Sequence, residues 1–465
     1  MEKTAQQLAD DKNRLKTFYY LLGNNLATSV INFTVWFAII FFVYLQTKSV
    51  LVTSILSGIY LVATALTGIW FGSLVDHHKK KTMMFISSAV SLVFYVVCFV
   101  IYQLAPIETF KDPTSVTLWV FVVLLTFGVI AGNIRGIAGP TLVTILVPED
   151  RRDKANGLVG TASGVSFLIT SVISGVLVAA GGMFYVLLLA MLVLLLSMLH
   201  LAYVSVPEKG IVHIEGASRK IDLRGTFAVV IAIPGLLALI LFSTFNNFLG
   251  GVFMALMDAY GLSLMSVQSW GFLWGVLSGG FIIGGLIIAK RGLGKNPVRL
   301  LFTINIVLWV VTILFPLKSS IILLAIGMFV YMLLVPFIEA AEQTVMQKVV
   351  PFERQGRVFG FAQSVEQAAS PLTAFLIGPL AELFFIPFMK QGGAGANLIG
   401  GWFGTGSDRG LALVFVVTGI VGLIATLIAF ASKYQRQLSD RYLASSAVDT
   451  QAPTSLEAAA REGLV

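Results

Sequence analysis

The amino-acid sequence predicts an all-α integral membrane protein, with twelve transmembrane helices arranged as two pseudo-symmetric six-helix bundles. The first observation is composition: hydrophobic residues make up 57% of the 465 residues and charged residues only 12%. The mean hydropathy of +0.90 exceeds what a soluble core of this length requires. The second observation is a series of twelve apolar segments of membrane-crossing length, and the third is a turn sequence that recurs in the second half of the chain.

Each predicted span is an apolar segment close to or above the roughly 20 residues that a helix needs to cross the hydrocarbon core. Helices are expected because unpaired backbone polar groups are costly in lipid. The fourth, tenth and eleventh segments are long, so we expect them to tilt or to project into the cytoplasm. The predicted spans cover residues 18–45, 50–75, 83–104, 116–147, 157–180, 182–206, 225–252, 269–289, 298–316, 320–350, 357–387 and 410–432.

Positive charge is concentrated at one end of these predicted spans. Of the 31 Lys and Arg residues, Arg135 falls within a span, and five lie on the side opposite the N-terminus: Lys48, Lys111, Lys318, Lys390 and Arg409. The others lie on the N-terminal side, which the positive-inside rule makes cytoplasmic. We therefore expect a multi-pass protein of the cell (inner) membrane with both termini in the cytoplasm. The net charge of +8 reflects this bias and does not indicate a nucleic-acid-binding surface.

A polar segment divides the chain into halves of similar length, and a turn repeats across it. Val147-Pro148-Glu149-Asp150-Arg151 follows the fourth predicted span, and Val350-Pro351-Phe352-Glu353-Arg354 follows the tenth, at an offset of 203 residues. In each copy a Pro ends one helix and a basic turn leads to the next. The predicted organisation is a cytoplasmic N-terminal segment (1–17), an N-terminal bundle (18–206), a cytoplasmic linker (207–224), a C-terminal bundle (225–432) and a mobile cytoplasmic tail (433–465).

The residues that build disulfide, metal and nucleotide sites are scarce or unsuitably spaced. Cys98 is the single cysteine, so no internal disulfide can form. The histidines at positions 77, 78, 200 and 213 lack metal-ligand spacing. The glycine-rich stretch from Gly404 to Gly410 has no strand before it, and the cytoplasmic loops contain no phosphate-binding Lys-Ser/Thr motif. We therefore expect no cofactor and no metal, and we expect an ion gradient to supply the energy for transport.

The turns after the second and eighth predicted spans resemble a motif of the major facilitator superfamily, Gly-x-Leu-Ala-Asp-basic-x-Gly-basic-basic. The first copy keeps the glycine, the leucine, the acid and a basic pair, as Gly72, Leu74, Asp76, Lys80 and Lys81. The second copy keeps Gly285, Lys290 and Gly292 but has Ala289 in place of the acid. This resemblance covers about residues 15–432. It implies the major facilitator fold, a small-molecule substrate and a transporter rather than an enzyme.

The second half is similar to the branch of that superfamily that contains macrolide-efflux proteins and enterobactin exporters. The similarity lies in Gln355-Gly356-Arg357-Val358-Phe359, Ser370-Pro371, Gly378-Pro379-Leu380-Ala381 and the stretch from Gly404 to Gly410. The fifth span departs from many drug antiporters, because residues 170–175 replace their Gly-Pro-x-x-Gly-Gly sequence.

Asp76 is a candidate for a conformational latch at the cytoplasmic end. It ends the second predicted span, where a carboxylate can face the positive N-terminal end of another helix and pair with Lys80 or Lys81. The alternative is a solvated loop acid. The family resemblance implies the latch, with the eleventh span near Gly356 as the partner that holds the outward-facing state closed inside. The candidate latch residues are Gly72, Asp76, Lys80, Lys81, Arg151, Arg354 and Arg357.

Four charged residues are predicted at mid-membrane depth, where a charge is costly and marks a functional site by default. Arg135 lies about 18 Å from the end of its span at the helical rise per residue. Glu339 lies at a similar depth in the tenth span, Glu342 shares its helix face, and Glu366 lies within the eleventh span. In the superfamily, helices one, four, seven and ten line a central cavity, so the resemblance places Arg135 and Glu339 across one water-filled space. A static Glu–Arg pair that ties helices together is the alternative.

Amide side chains on the first and seventh spans are further candidates to bind substrate: Asn25, Asn32 and Asn246. The alternative is that such amides join helices to one another through hydrogen bonds.

Three functions follow from these features. The first is a secondary active, proton-coupled exporter of drugs or other amphipathic molecules, a monomer that works by alternating access with protons carried by Glu339, Glu342 or Glu366. The second is a carrier of anionic amphiphiles, such as lysophospholipids or siderophores, with Arg135 as the anion ligand. The third is a non-transporting sensor or scaffold, which would not need several ionisable groups at one depth.

Overall fold

A computed structural model describes residues 5–47, 50–208 and 223–451 of the chain. The described residues fold into helices joined by short turns, and twelve of those helices are long and apolar enough to cross a membrane. The prediction of an all-α protein with twelve spans is confirmed. We number the spans in chain order; spans one to six form the first bundle and spans seven to twelve the second.

Most spans extend beyond their predicted ends, whereas the fourth, sixth and tenth are slightly shorter than predicted, and two spans are interrupted. In order they are Ala5–Thr47, Val50–His77, Lys80–Leu104, Val116–Gly132 with Ile134–Leu146, Arg152–Gly181, Met183–Tyr203, Leu223–Ala232 with Leu236–Leu264, Val267–Arg291, Pro297–Leu314, Ile321–Val349, Gln355–Leu380 and Ser407–Ala431. The eleventh continues through a π-helical turn, Ala381–Phe385, and a short helix, Ile386–Met389. Two further short helices, Glu108–Lys111 and Ala394–Phe403, lie between spans.

Both interruptions have local causes. In the fourth span, the backbone N–H of Asn133 donates to the carbonyl of Ile130 in a tightened turn, and the helix restarts at Ile134, directly before Arg135. In the seventh span, Pro234 has no N–H to donate, and Gly235 adopts a left-handed conformation with φ +83°. The break in the fourth span therefore places Arg135 in the first turn of a new helical segment.

The prediction of a mobile tail was wrong for residues 433–451, which form a helix, Lys433–Gln451. Leu438 and Tyr442 stand one turn apart on this otherwise polar helix, and Leu438 is 1% exposed. The rest of the predicted tail, 452–465, and positions 209–222 of the predicted linker lie outside the described residues.

The two bundles share a core at one end. We call this the basic end: it contains the turns at 77–80, 147–152, 291–297 and 349–355, and the sequence predicts it to be cytoplasmic. One buried apolar cluster there includes residues of both bundles, among them Val75, Ile288 and Val358. Toward the opposite end, the clusters found in the described residues are separate, one in the first bundle and two in the second. The structure is therefore closed at the basic end.

Closely packed glycines bring the bundles together at the basic end. The second span packs against the eleventh and the fifth against the eighth. A Cβ atom added to Gly72 would overlap the carbonyl oxygen of Gly356, and one added to Gly157 would lie 2.6 Å from the backbone nitrogen of Ala289. Because no side chain fits at these positions, the helix backbones can approach closely there.

Candidate functional site

A cavity of about 550 Å³ lies between the two bundles. Spans one, three, four and five contribute its walls from the first bundle, the third through Met84 alone, and spans seven, nine, ten and eleven from the second. Six of the residues singled out from the sequence line it: Asn25, Arg135, Asn246, Glu339, Glu342 and Glu366. The structure thus brings the predicted mid-membrane charges to one space.

Asn32 is the candidate that the structure places elsewhere. Its amide nitrogen donates to the carbonyl of Val129 at 2.9 Å, and its oxygen accepts from the hydroxyl of Tyr95 at 3.1 Å. Asn32 is not among the residues that line the cavity, and it packs against Gly132 beside the break in the fourth span. It therefore joins helices, the alternative role that the sequence left open.

Arg135 is held by neutral partners of its own bundle. Its Nη1 donates to Oδ1 of Asn24 at 2.9 Å, and its Nη2 donates to the hydroxyl of Ser88 at 2.6 Å. The residue is 5% exposed, and its Nε has no hydrogen-bond partner. Within the described ranges no carboxylate lies within 4.0 Å of the guanidinium. Within the described residues, Arg135 is therefore not part of a Glu–Arg ion pair between helices.

Asn24 fixes the position of Arg135, and the sequence analysis gave it no such role. Its amide nitrogen donates to the carbonyl of Ser197 at 2.9 Å and lies 3.1 Å from Nδ1 of His200, both in the sixth span. Because arginine can only donate and a carbonyl can only accept, these partners set the orientation of the amide. Asn24 and Ser88 thus each hold one Nη atom of Arg135 within the first bundle, and each Nη keeps a second N–H.

The carboxyl groups of the second bundle form a cluster on the cavity wall. The carboxyl groups of Glu342 and Glu366 are close enough to interact, and Ser243 lies beside Glu342. In each of the two carboxyl groups Oε1 has no partner in the described structure. Two carboxyl groups can hydrogen-bond to each other only when one carries a proton.

Amide groups extend this polar wall. Oδ1 of Asn246 accepts from the indole N–H of Trp309 at 3.2 Å, which leaves the amide nitrogen of Asn246 unpartnered. Asn25 and Gln343 each have a buried side-chain oxygen without a partner in the described residues. Acceptor atoms thus outnumber donors among the unpartnered buried groups of the cavity.

Three glutamines of the lining were missed from the sequence: Gln343, Gln363 and Gln367. They stand at helical spacing from the acids, Gln343 four residues after Glu339, and Gln363 and Gln367 on either side of Glu366. Polar residues at i, i+3 and i+4 on an apolar span share one face. That spacing was the signal that could have identified them. Nowhere in the described ranges does a group of three or more His, Cys, Asp or Glu residues fit a metal ion.

Asp76 joins the two bundles at the basic end. Its Oδ1 accepts the backbone N–H of Gly356 at 2.6 Å and its Oδ2 accepts that of Arg357 at 2.9 Å, at the first turn of the eleventh span. The Arg357 side chain adds an Nε contact with Oδ2 at 3.6 Å and a bond to Nε2 of His77 at 2.9 Å. A carboxylate there is stabilised by the helix dipole and by unsatisfied N–H groups.

The other candidate latch residues have different roles from those predicted. Arg357 contacts Asp76 directly, and Lys80 acts on it at longer range. The backbone N–H groups of Lys80 and Lys81 donate to the carboxylate of Glu208, just after the sixth span, at 2.6 and 2.9 Å. Arg151 lies 3.8 Å from the adjacent Asp150 and is largely exposed. Arg354 is exposed in the turn before the eleventh span.

A second set of contacts joins the bundles across the fourth, fifth, eighth and tenth spans. The amide nitrogen of Asn156 donates to Thr344 at 2.8 Å and to Gln347 at 2.9 Å, and Gln347 donates to the carbonyl of Pro140 at 3.1 Å. Two acids complete this set: Oδ2 of Asp153 accepts the backbone N–H of Leu293 at 2.7 Å, and Glu149 pairs with Lys348. Sequence reasoning did not identify these contacts, because their partners are well over a hundred residues apart.

Comparisons with known proteins agree with this fold. The model of the Major Facilitator Superfamily matches residues 25–374. Macrolide efflux protein A of Streptococcus pyogenes is 23% identical over 391 residues, which cover 80% of this chain and 91% of that protein.

Solved structures show the same fold at low sequence identity. A bacterial homologue of the iron transporter ferroportin, in an outward-facing state, has a TM-score of 0.68 at 15% identity and covers 90% of this chain and 100% of its own. The human organic anion transporter MFSD10 (TETRAN) has a TM-score of 0.65 at 12% identity, covering 90% of this chain and 99% of its own. The proton:xylose symporter XylE has a TM-score of 0.62 at 13% identity and covers 89% of this chain and 95% of its own. The chain therefore belongs to the major facilitator superfamily and is a multi-pass membrane transporter rather than an enzyme.

Proposed function

We propose that this protein is a proton-coupled exporter of drugs or other amphipathic small molecules, working by alternating access. The observation that carries the proposal is the pair formed by Glu342 and Glu366 in the inter-bundle cavity, with an unpartnered oxygen on each. We further propose that the transporter is a monomer of the cell (inner) membrane, organised as two bundles, 18–206 and 225–432, with both termini in the cytoplasm.

The cavity suits an amphipathic ligand. Its wall combines polar side chains with aliphatic and aromatic ones, among them Trp309, Tyr331 and Phe359. Ligand pockets typically combine an apolar lining with polar groups that fix the orientation of the ligand. The similarity to a macrolide efflux protein along 80% of the chain supports export as the direction.

The polar groups favour a cationic ligand over an anionic one. The unpartnered acceptors of Glu342, Glu366, Gln343 and Asn25 would bind an ammonium or hydroxyl donor. One N–H of each Nη atom of Arg135 is already bonded to Asn24 or Ser88 of its own bundle, and Nε has no partner. An anion carrier would be expected to present the guanidinium fork to its ligand, so we place this alternative second.

Proton coupling follows from competition at the carboxyl pair. A cation that binds between Glu342 and Glu366 would displace the shared proton, and reprotonation from the opposite side would release the cation. Glu339, which faces the cavity on the same helix as Glu342, would add negative charge that favours either occupant. Alternation would require the contacts of Asp76 and Asn156 at the basic end to break and re-form.

Transport into liposomes with an imposed pH gradient tests this proposal. A fluorescent lipophilic cation and an anionic lysophospholipid would be compared for the unchanged protein, Glu366→Gln and Arg135→Ala. We expect gradient-driven movement of the cation that Glu366→Gln abolishes. Glu108→Gln is the matched control, because that acid lies outside the membrane-crossing helices beside Lys111 and is exposed.

Three outcomes would contradict the proposal. Cation movement that ignores both the gradient and Glu366→Gln would exclude this coupling mechanism. Movement of the anion that Arg135→Ala abolishes would establish the anion carrier. Failure to transport either probe, in protein that remains folded, would favour the sensor or scaffold.

A further inference from the structure

The helix Lys433–Gln451 docks on the basic end of the second bundle through specific contacts. Leu438 is buried against the seventh span: a Cβ atom on Gly235 would lie 2.8 Å from the Cβ of Leu438. The hydroxyl of Ser439 accepts from the amide nitrogen of Asn296, at the start of the ninth span, at 2.6 Å. These contacts fix how the helix lies across the basic end.

The next turn of this helix covers a charge on the tenth span. Nζ of Lys348 lies 4.6 Å from the ring centroid of Tyr442, a cation–π contact. The side chain of Lys348 is 6% exposed and pairs with the carboxylate of Glu149. Lys348 belongs to the second bundle and Glu149 to the first, so this ion pair crosses the interface that must open.

Tyr442 itself lies at the junction between the bundles. Burial, together with the nearby carboxylates of Asp153 and Glu149, raises the pKa of the Tyr442 phenol to about 12. Both acids are in the first bundle, whereas Tyr442 is continuous with the twelfth span of the second. The C-terminal helix therefore packs against the place where Glu149 of the first bundle meets Lys348 of the second.

Covering the ion pair changes the energetics of opening. When the basic end opens, Glu149 moves away from Lys348. Separating an ion pair is far more unfavourable when the remaining charge stays out of water than when water can solvate it. With the helix in place, Lys348 stays beneath Tyr442; without the helix, water reaches the ammonium and replaces Glu149.

We infer that the helix Lys433–Gln451 is a cover over the ion pair between Glu149 and Lys348, and that it stabilises the state closed at the basic end. Its role does not depend on which substrate the cavity binds, and it concerns the resting equilibrium rather than the coupling ion. Removing the cover shifts that equilibrium toward a state open at the basic end.

The distance between two spin labels on the full chain in lipid nanodiscs, without substrate, tests the inference. The labels are attached at Lys79→Cys and Glu353→Cys, exposed positions in turns of different bundles, in a Cys98→Ser background. A chain ending at Ser432 is compared with one ending at Gln451, the matched truncation that keeps the helix. We expect the ratio of short to long distances to fall in the first chain and to stay unchanged in the second.

Point variants distinguish an effect of covering the Lys348 ammonium from an effect of helix packing alone. Tyr442→Ala is expected to lower the ratio of closed to open molecules several-fold, because water can then replace Glu149 at the ammonium of Lys348, while Tyr442→Phe keeps the ring and changes it less than about twofold. In a Lys348→Met background, which has no ammonium to cover, Tyr442→Ala should change the ratio by less than about twofold.

Two results would overturn the inference. One is an unchanged distance distribution in the folded chain that ends at Ser432. The other is a shift on Tyr442→Ala that is equally large with and without Lys348, because that would show ordinary helix docking rather than a cover over a charge.

Discussion

The Oδ1 atom of Asp76, at the end of the second span, accepts the backbone N–H of Gly356 at 2.6 Å, so that a carboxylate of the first bundle caps a helix of the second. The same carboxylate accepts the N–H of Arg357 through its other oxygen. Because the cap crosses the interface, it exists only while the basic end is closed. The cap therefore stabilises only the state that is closed at the basic end.

Asp76→Asn should weaken the closed state. An amide keeps one acceptor for Gly356 but turns a donor toward the N–H of Arg357, and it removes the charge that the helix terminus stabilises. Hydrogen bonds to a charged group contribute about 1.5–3 kcal/mol each, so we expect the label pair at positions 79 and 353 to shift clearly toward long distances. Asp150→Asn is the control: that acid is exposed beside Arg151, and an unchanged distribution is expected. Equal shifts in both variants would contradict the role of the cap.

Gly72→Ala should prevent close contact between the second and eleventh spans. The new methyl group would overlap the carbonyl oxygen of Gly356, which is backbone and cannot rotate away. Overpacking of this kind costs about 1–3 kcal/mol, and we expect lower transport together with loss of the short label distance. Gly58→Ala, in the same span but with nothing within 4 Å of the added Cβ, should behave as the unchanged protein. Normal transport by Gly72→Ala would show that this contact is dispensable.

The two interfaces at the basic end are related by the repeat at an offset of 203 residues, but their acidic residues lie on non-equivalent helices. Ala289 stands where the second copy of the family motif would have its acid. In the structure, Asp153 occupies the position equivalent to Gly356 and accepts the N–H of Leu293 beyond the eighth span. The acid has moved to the facing helix, and a carboxylate-to-backbone contact is kept at both interfaces.

The sequence predicted the features that follow from single segments. Span count depends on runs of apolar residues, and Arg135, Glu339 and Glu366 could be identified because a charge within such a run is costly. The partners of these groups could not be identified, since Asn24 with Arg135 and Glu149 with Lys348 depend on how distant helices pack. The C-terminal helix was missed because one turn of apolar contact, Leu438 and Tyr442, is a weak signal in a polar segment.

Asn24→Ala should release Arg135. The guanidinium would lose one of its two hydrogen-bond partners in a buried site, which typically costs about 1–3 kcal/mol. We expect a lower temperature of thermal unfolding and a loss of transport comparable to that of Arg135→Lys, whose single ammonium cannot hold both Asn24 and Ser88. Thr312→Ala is the comparison, because that buried hydroxyl donates to Leu308 in its own helix and lies outside the cavity lining. If Asn24→Ala transported normally, the position of Arg135 would not matter for transport.

Glu342→Gln and Glu366→Gln should act as one unit rather than as two independent changes. Either substitution removes one member of the carboxyl pair that we propose holds the coupling proton, so either alone should abolish transport driven by a pH gradient, and the double variant should be no worse. Exchange of labelled for unlabelled cation across the membrane needs no net proton movement. We therefore expect each single variant, which keeps one carboxylate for the ligand, to retain exchange, and the double variant to lose it. Gradient-driven transport in a single variant would show that the shared proton is not the coupling proton, because one carboxyl group would then be sufficient.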